Sequence, residues 1–317
     1  MAGASPPPLP ERPLKGPNKG KDMTDTVLVT GASGQLGRLV LDTLLASGKV
    51  APENLIATTR DTAKLSDYAA RGVSVRAADF DDPASLDAAF AGAGKVLIIS
   101  TDALDAPGKR LAQHKAAVAA ASKAGARHIL YTSMPQPDDS RVTFAPDHLG
   151  TEQAIKATGI PYTILRDGWY AENLFMSLPH ALQTGSWYTS TGEGKIAHIT
   201  RADTAAALAG AVLNAGDESR TYTLTGTKSR TAEEIAAIVS DATGKPLAVV
   251  HVTDTQLTEG LKAAGLPEGF VPTIVSFDAN TREGKIAMVT SDAETLAGRP
   301  LTAFEDFVAA NKAAFLA

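Results

Sequence analysis

The segment Thr30-Gly31-Ala32-Ser33-Gly34-Gln35-Leu36-Gly37 joins a short β-branched apolar run to a helical stretch. Three glycines in a strand-to-helix turn restrict the chain severely. Gly31 suits a tight turn, Gly34 lets main chain approach a ligand, and Gly37 lets helix and sheet pack closely. The helix N-terminus then faces whatever sits in the turn, and its amides and dipole favour an anion. In this context the segment reads as a diphosphate-binding loop for a dinucleotide, with Ser33, Gln35 and Leu36 among its contacts. The competing reading is an ordinary glycine-rich turn. The spacing is G-x-x-G-x-x-G, not the more familiar G-x-G-x-x-G.

The chain beyond the loop supports the first reading. Near-continuous apolar runs at Thr26 to Thr30, Leu55 to Thr59, Val73 to Ala77, Val96 to Ser100, His128 to Thr132 and Tyr162 to Leu165 read as strands buried on both faces. Helical stretches beginning near Gln35, Ala63, Pro83, Pro107 and Asp147 fill the gaps, so the connections are right-handed crossovers. The fold class is α/β, a Rossmann-like doubly wound parallel sheet over residues 23–166, with a smaller C-terminal α/β lobe over 167–317. That lobe is expected to hold a helix around Leu174 to Leu182, an extended pair near Trp187-Tyr188 and Ile196 to Ile199, and a helix from Arg201 to Asn214. The segments Thr221 to Leu224, Ala232 to Thr243 and Ala248 to Val252 and further helices complete it or pack back on the first unit. Residues 1–22 carry Pro6-Pro7-Pro8, Pro10, Pro13 and Pro17 with scattered lysines, which reads as a disordered tail.

Composition removes whole classes of chemistry. The 317 residues include no cysteine, which excludes disulfides, thiolate-bound zinc, iron–sulfur clusters and cysteine nucleophiles. No metal site is expected. The net charge of −5 argues against a nucleic-acid partner. No apolar run has the length of a membrane span, so a cytoplasmic protein acting on small molecules is expected, with an oligomer left open.

Cofactor choice is written at the end of the second strand. An acidic residue there would hold the ribose hydroxyls and repel a 2′-phosphate. Thr58-Thr59-Arg60 instead offers a guanidinium, with Lys64 a turn later, which favours NADP(H) while leaving NAD(H) open. Asp61 could pair with Arg60 or cap the next helix. By topology, Asp79 and Phe80 after the third strand meet the adenine, and Ser100 and Thr101 after the fourth line the cofactor's middle. Asp79 could equally cap a turn.

Short-chain dehydrogenases acting on alcohols carry a Tyr-x-x-x-Lys pair on a helix as proton donor. The corresponding stretch here reads His148-Leu149-Gly150-Thr151-Glu152, with His148 and Glu152 at i and i+4. That pair could shuttle protons, bind a metal weakly, or be a structural helix pair beside the cleft. The loss of the Tyr–Lys pair has an energetic meaning. Hydride addition to a simple ketone forms an alkoxide with a pKa near that of water (about 15.7), which needs a donor. A quinone gives a phenolate of pKa about 10, for which solvent or a modest donor suffices. The expected acceptor is therefore conjugated and easily reduced.

From Met23 onward the sequence resembles the atypical short-chain dehydrogenases of the NmrA-like group, especially type-2 NAD(P)H:quinone oxidoreductases and triphenylmethane-dye reductases. The likeness rests on the glycine loop, Tyr131-Thr132-Ser133, His148 with Thr151-Glu152, and Leu165-Arg166-Asp167-Gly168-Trp169-Tyr170-Ala171-Glu172-Asn173. It extends to Gly192-Glu193-Gly194-Lys195-Ile196-Ala197, Thr200-Arg201-Ala202-Asp203 and Gly298-Arg299-Pro300. The resemblance implies an NADPH-dependent reductase of a quinone-like acceptor. It implies a nucleotide held by the loop, Arg60, Thr132 and the segment from Asp167 through Gly168, Trp169 and Tyr170 to Glu172. The family usually has asparagine at the position of Asp167, and an ionised Asp167 would call for a donor such as Arg166. Tyr170, Trp169 and Asn173 offer stacking surface and donors for a planar acceptor, with Tyr170 or Asn173 near the developing oxyanion, or they are lobe-junction packing. Thr200 to Asp203 reads as a structural helix start, and His114 as a packed histidine. The same fold without turnover would be a redox sensor, and with other chemistry a reductase or isomerase of a specialised metabolite.

Overall fold

The computed structural model describes residues 26–317; the proline-rich tail expected over 1–22 lies outside them. Seven parallel strands form the central sheet: β1 (Val27–Val29), β2 (Leu55–Thr59), β3 (Ser74–Ala77), β4 (Lys95–Ile98), β5 (His128–Ser133), β6 (Tyr162–Asp167) and β8 (Arg220–Leu224). Their order is β3-β2-β1-β4-β5-β6-β8. The chain winds outward from β1 to β3, returns to β4 on the other side, and so leaves a crevice where the order reverses, at the carboxyl ends of β1 and β4. A second, two-stranded parallel sheet pairs β7 (Ser186–Thr189) with β9 (Ala248–His251).

Strand alternation sorts the core into two layers. Leu28, Ile56, Val96, Ile98, Ile129 and Tyr131 point to one face. That face is covered by α3 (Pro83–Phe90), α4 (Lys109–Lys123) and α5 (Ala145–Ala157). Val27, Val29, Leu55, Leu97, Leu130, Leu165 and Leu224 point to the other, under α1 (Gln35–Ala46) and α7 (Arg201–Asn214). In α1, Val40, Leu41 and Leu44 are fully buried, each worth about 1.5–3 kcal/mol, and this anchors the helix N-terminus over β1. The remaining helices are α2 (Ser66–Ala70), α6 (Leu178–Thr184), α8 (Ala232–Thr243), α9 (Asp254–Ala263), α10 (Val271–Arg282), α11 (Asp292–Ala297), α12 (Phe304–Ala310) and α13 (Lys312–Phe315). Thr231 and Thr253 start α8 and α9 with complete capping boxes, using Glu234 and Gln256.

Three local expectations are corrected. The Trp187-Tyr188 strand pairs with Val249-Val250 and not with Ile196 to Ile199, which make only single bridges to Arg230 and Tyr170. The helix expected over Leu174 to Leu182 is split. A 3₁₀ turn, Ala171–Met176, ends before α6, and Pro179 sits in the first turn of α6, where its missing N–H costs nothing. The helix expected near Ala63 opens as a 3₁₀ turn, Thr62–Leu65, whose leading N–H at Ala63 is taken by Asp61 (3.1 Å).

Candidate active site

A cavity of about 730 Å³ opens at the carboxyl edge of the sheet, along the β1–β4 crevice. Its floor is the glycine loop: Gly31, Ser33, Gly34, Gln35, Leu36 and Gly37 all line it. Gly31 has φ +58°, the left-handed region that glycine adopts freely. A Cβ on Gly37 would stand 2.4 Å from the Gly31 carbonyl oxygen and 2.7 Å from Ala32 Cα, so helix and loop touch main chain to main chain. Gly34 is the N-cap of α1 and supplies no side-chain acceptor, and the first turn holds no acidic residue. The amides of that turn therefore face the cavity without a carboxylate to neutralise them.

From this floor the cavity runs two ways. Toward β2 it meets Thr58, Thr59 and Arg60, then Ala78, Asp79, Phe80 and Asp81 beyond β3. Ser33 Oγ and Thr59 Oγ1 are 2.8 Å apart, tying the loop to the end of β2. Asp61 spends its carboxylate on the 3₁₀ turn, which leaves the exposed Arg60 at the cavity lip. Asp79 lines the cavity, and its carboxylate accepts from the Asp81 N–H (3.0 Å). Toward β4 and β5 the wall is Ile99, Ser100, Thr101 and Thr132. The Ser100 N–H donates to Thr132 Oγ1 (2.8 Å), which fixes that hydroxyl at the cavity's middle.

Behind this wall lies a buried polar cluster. Arg110 Nη2 donates to His148 Nε2 (2.9 Å), so the single proton of the neutral ring sits on Nδ1 and is donated to the Tyr131 oxygen (2.8 Å). The Thr101 N–H donates to His114 Nε2 (3.0 Å), so His114 carries its proton on Nδ1, toward Thr151 Oγ1 (3.0 Å). Burial, and then the Arg110 charge, drives His148 well below the ordinary histidine range, and His114 down to about 3. Both rings are neutral, with their protons already committed. Burial also pushes the Tyr131 phenol above its ordinary range.

The segment after β6 closes the inner end. Asp167 is 5 % exposed; Tyr170 Oη is 3.1 Å from its Oδ2, while its Oδ1 is buried without a hydrogen-bond partner. The Tyr170 ring lines the cavity, and the Arg201 guanidinium lies over it, 4.9 Å from the centroid. Arg201 in turn donates to Asn173 Oδ1 (2.8 Å), and its own N–H is taken by the Glu172 carboxylate (3.0 Å).

The NmrA-like family model matches residues 23–306. The chain belongs to that family. Quinone oxidoreductase 2 of Escherichia coli is 36 % identical over 282 residues, covering 89 % of this chain and 97 % of the relative. The NAD(P)H azoreductase of Xenophilus azovorans is 30 % identical, with 91 % and 99 % covered. Among solved structures, the triphenylmethane reductase of Citrobacter sp., complexed with NADP(H), superposes with TM-score 0.84 at 34 % identity, covering 90 % of this chain and 100 % of that one.

Within this NmrA-like chain the expected site residues divide clearly. The structure brings Gly31, Ser33, Gly34, Gln35, Leu36, Arg60, Asp79, Phe80, Ser100, Thr132 and Tyr170 to one cavity. Asp167, Gly168, Trp169, Asn173 and His148 are not in its lining. Gly168 is packed under β8, where its N–H meets the Leu224 carbonyl (2.8 Å). Trp169 packs edge-on against Phe277 of α10, and Asn173 holds Arg201. The His148–Glu152 pair does not form. Glu152 is fully buried against Arg166 (2.9 and 2.8 Å) and Ser133 (2.7 Å). Arg166 is thereby taken and does not serve Asp167. Sequence reasoning missed Lys109 and Gln113 of α4, which also line the cavity, and above all Arg201. Thr200 caps α7 as expected, by accepting from the Asp203 N–H, but Arg201 beside it reaches the cavity. A signal was present: a cation in the first turn of a helix opposes the dipole and needs a reason to be there.

Proposed function

We propose that this chain is an NADPH-dependent reductase that passes hydride to a quinone-like, conjugated acceptor. The observation that carries the reading is a single cavity that joins an uncapped, carboxylate-free helix N-terminus to the Arg60 guanidinium at one end and to the Tyr170 ring at the other. An anion fits the first, a sugar phosphate the second, and a flat ring the third. The residues present fit a dinucleotide. The close approach of Gly37 to Gly31 leaves room for main chain only, as a diphosphate cradle requires. The glycine loop would hold the diphosphate, Arg60 the 2′-phosphate, and Ser100 and Thr132 the central part. When bound, the reduced nicotinamide supplies the hydride.

The acceptor class follows from the proton inventory. His148 and His114 are neutral and hydrogen-bonded, so neither is an acid near neutrality. The site therefore suits a product anion that asks little of a donor, such as a phenolate. The relatives' names point the same way, since quinones, azo compounds and triphenylmethane dyes are all conjugated acceptors. We further propose that the protein works in the cytoplasm.

Steady-state oxidation of NADPH and NADH against a panel of quinones, with an aliphatic ketone as control, tests this reading. Turnover with quinones and none with the ketone is expected; a clear preference for the ketone overturns the acceptor class. Arg60→Ala is expected to weaken NADPH binding about tenfold or more while changing NADH binding little, as isothermal calorimetry would read. Equal losses for both nucleotides would remove Arg60 from phosphate recognition.

A further inference from the structure

One buried group beside the cavity is not in its lining. Asp167 ends β6 on the sheet face covered by α1 and α7, behind the cavity-lining Tyr170. Only one of its carboxylate oxygens has a partner, the Tyr170 hydroxyl at 3.1 Å. An ionised carboxylate with one oxygen buried and bare is an expensive arrangement, whereas a carboxylic acid places its less demanding carbonyl there. The other charges that act on Tyr170 are Arg201, at the start of α7, Glu172, in the 3₁₀ turn, and Arg110 of α4; Arg201 and Glu172 lie 4.0 Å from each other. β8 presents only Leu224 opposite Asp167, and Arg166 points to the opposite face of the sheet, into Glu152.

We propose that Asp167 and Tyr170 form a two-residue proton relay, in which protonated Asp167 donates to Tyr170 and so frees the Tyr170 hydroxyl proton for the acceptor. The proposal rests on the reductase reading and deepens it. The contact between the two oxygens can run in either direction. When Asp167 is ionised, the Tyr170 O–H points back to it and is withheld from the cavity. When Asp167 is protonated, its own O–H occupies that contact and the Tyr170 proton turns outward. In the relay, the Tyr170 O–H bond breaks as the acceptor's O–H forms, and the Asp167 O–H breaks as that of Tyr170 re-forms. Asp167 is left ionised and regains a proton from solvent. A reduced nicotinamide, when bound, would supply the hydride with its two electrons, so the sum is one hydride and one proton added to the quinone.

The acidities suit this order. Burial, and then the neighbouring Asp167, holds Tyr170 well above the ordinary phenol range, too weak an acid to protonate a phenolate alone. Burial pushes Asp167 up to about 8, below the pKa of about 10 of a phenol product, so the coupled pair can deliver a proton that Tyr170 alone cannot. Asp167 is protonated below about 8, so relay capacity is full there and falls as pH rises through it. Asp167 acts through Tyr170 and is a positioning residue.

The first test needs neither nucleotide nor acceptor. In carbon-13 aspartate NMR of the intact protein, one carboxyl signal should titrate at about pH 8 and vanish in Asp167→Asn. Asp278, which burial also raises but which accepts from Thr189 and Ser190, provides the comparison. The second test is kcat against pH at saturating quinone. The unmodified protein should hold a plateau below about pH 8 and lose about tenfold per unit above it. Asp167→Asn and Tyr170→Phe should both show a lower kcat with no alkaline limb, and Tyr170→Phe should change kcat more than KM. The proposal is overturned if no aspartate titrates between about pH 7 and 9, if the rate stays flat through that range, or if Asp167→Asn keeps the limb. A correct titration with no turnover of any quinone would instead sink the reductase reading, and the relay's role with it.

Discussion

Gly37→Ala should weaken NADPH binding at least tenfold while leaving the protein folded. The added methyl would stand 2.4 Å from the Gly31 carbonyl oxygen and 2.7 Å from Ala32 Cα, and both neighbours are main chain. No rotamer change can relieve such a contact, so either the loop or the helix must move. The helix is held by Val40, Leu41 and Leu44, all fully buried, so the loop is the part that yields. Displacing it by even half an ångström shifts the amides that would meet the diphosphate, and affinity should fall at least tenfold, about 1.4 kcal/mol or more. Overpacking of this kind costs about 1–3 kcal/mol of stability, a drop of several degrees in Tm. Calorimetry read beside a thermal melt checks both. Unchanged NADPH affinity in a folded Gly37→Ala protein would mean that the diphosphate does not lie on this turn.

The same geometry explains why so much of the site is legible in the sequence. A parallel strand buried on both faces is apolar along its length, so β1, β2, β4, β5 and β6 announce themselves, and ligands in such sheets gather at the strands' carboxyl ends. Residues one or two positions past a strand, such as Arg60, Asp79 and Ser100, therefore fall on the cavity wall almost by connectivity. Side chains on helices and in irregular turns do not. Whether His148 faces the cleft or the core depends on the rotation of α5. Arg110 and Tyr131, distant in sequence, draw it inward. Trp169 and Tyr170 are adjacent, yet only Tyr170 lines the cavity, because Phe277 takes up the Trp169 ring. The β7–β9 pairing joins short strands about sixty residues apart, with Tyr188 exposed, and nothing local specifies the partner.

Arg201 and Asp167 show what kind of information sequence does carry at such a site. Each breaks a local rule: a cation in the first turn of a helix, and a carboxylate at the end of a buried strand. Each violation is met by a specific neighbour, Glu172 for Arg201 and Tyr170 for Asp167. Local rules tend to be broken where function needs them broken, so such residues mark candidate functional positions even when the sequence does not name the partner.

Glu152→Ala should be the most destabilising single change near the site, by about 3–5 kcal/mol, yet it should leave the Asp167 titration where it is. Glu152 is 0 % exposed and receives two hydrogen bonds from Arg166 and one from the Ser133 hydroxyl. Removing it leaves the partly enclosed Arg166 guanidinium, between β6 and α5, without its two carboxylate hydrogen bonds. Replacing both partners, as in Glu152→Met with Arg166→Met, removes the uncompensated charge and should recover most of the loss. The separation from Asp167 follows from strand geometry. Residues 166 and 167 are consecutive on β6, so their side chains leave opposite faces of the sheet. Arg166 freed from Glu152 has no path to Asp167, whose hydrogen-bond partner remains Tyr170. Chemical denaturation of the single and double variants measures the first claim, and carbon-13 titration of Glu152→Ala measures the second. A large shift of the Asp167 midpoint in that variant would show that the two faces are electrically coupled, and the buried pair would then tune the proton relay as well as hold β6 in place.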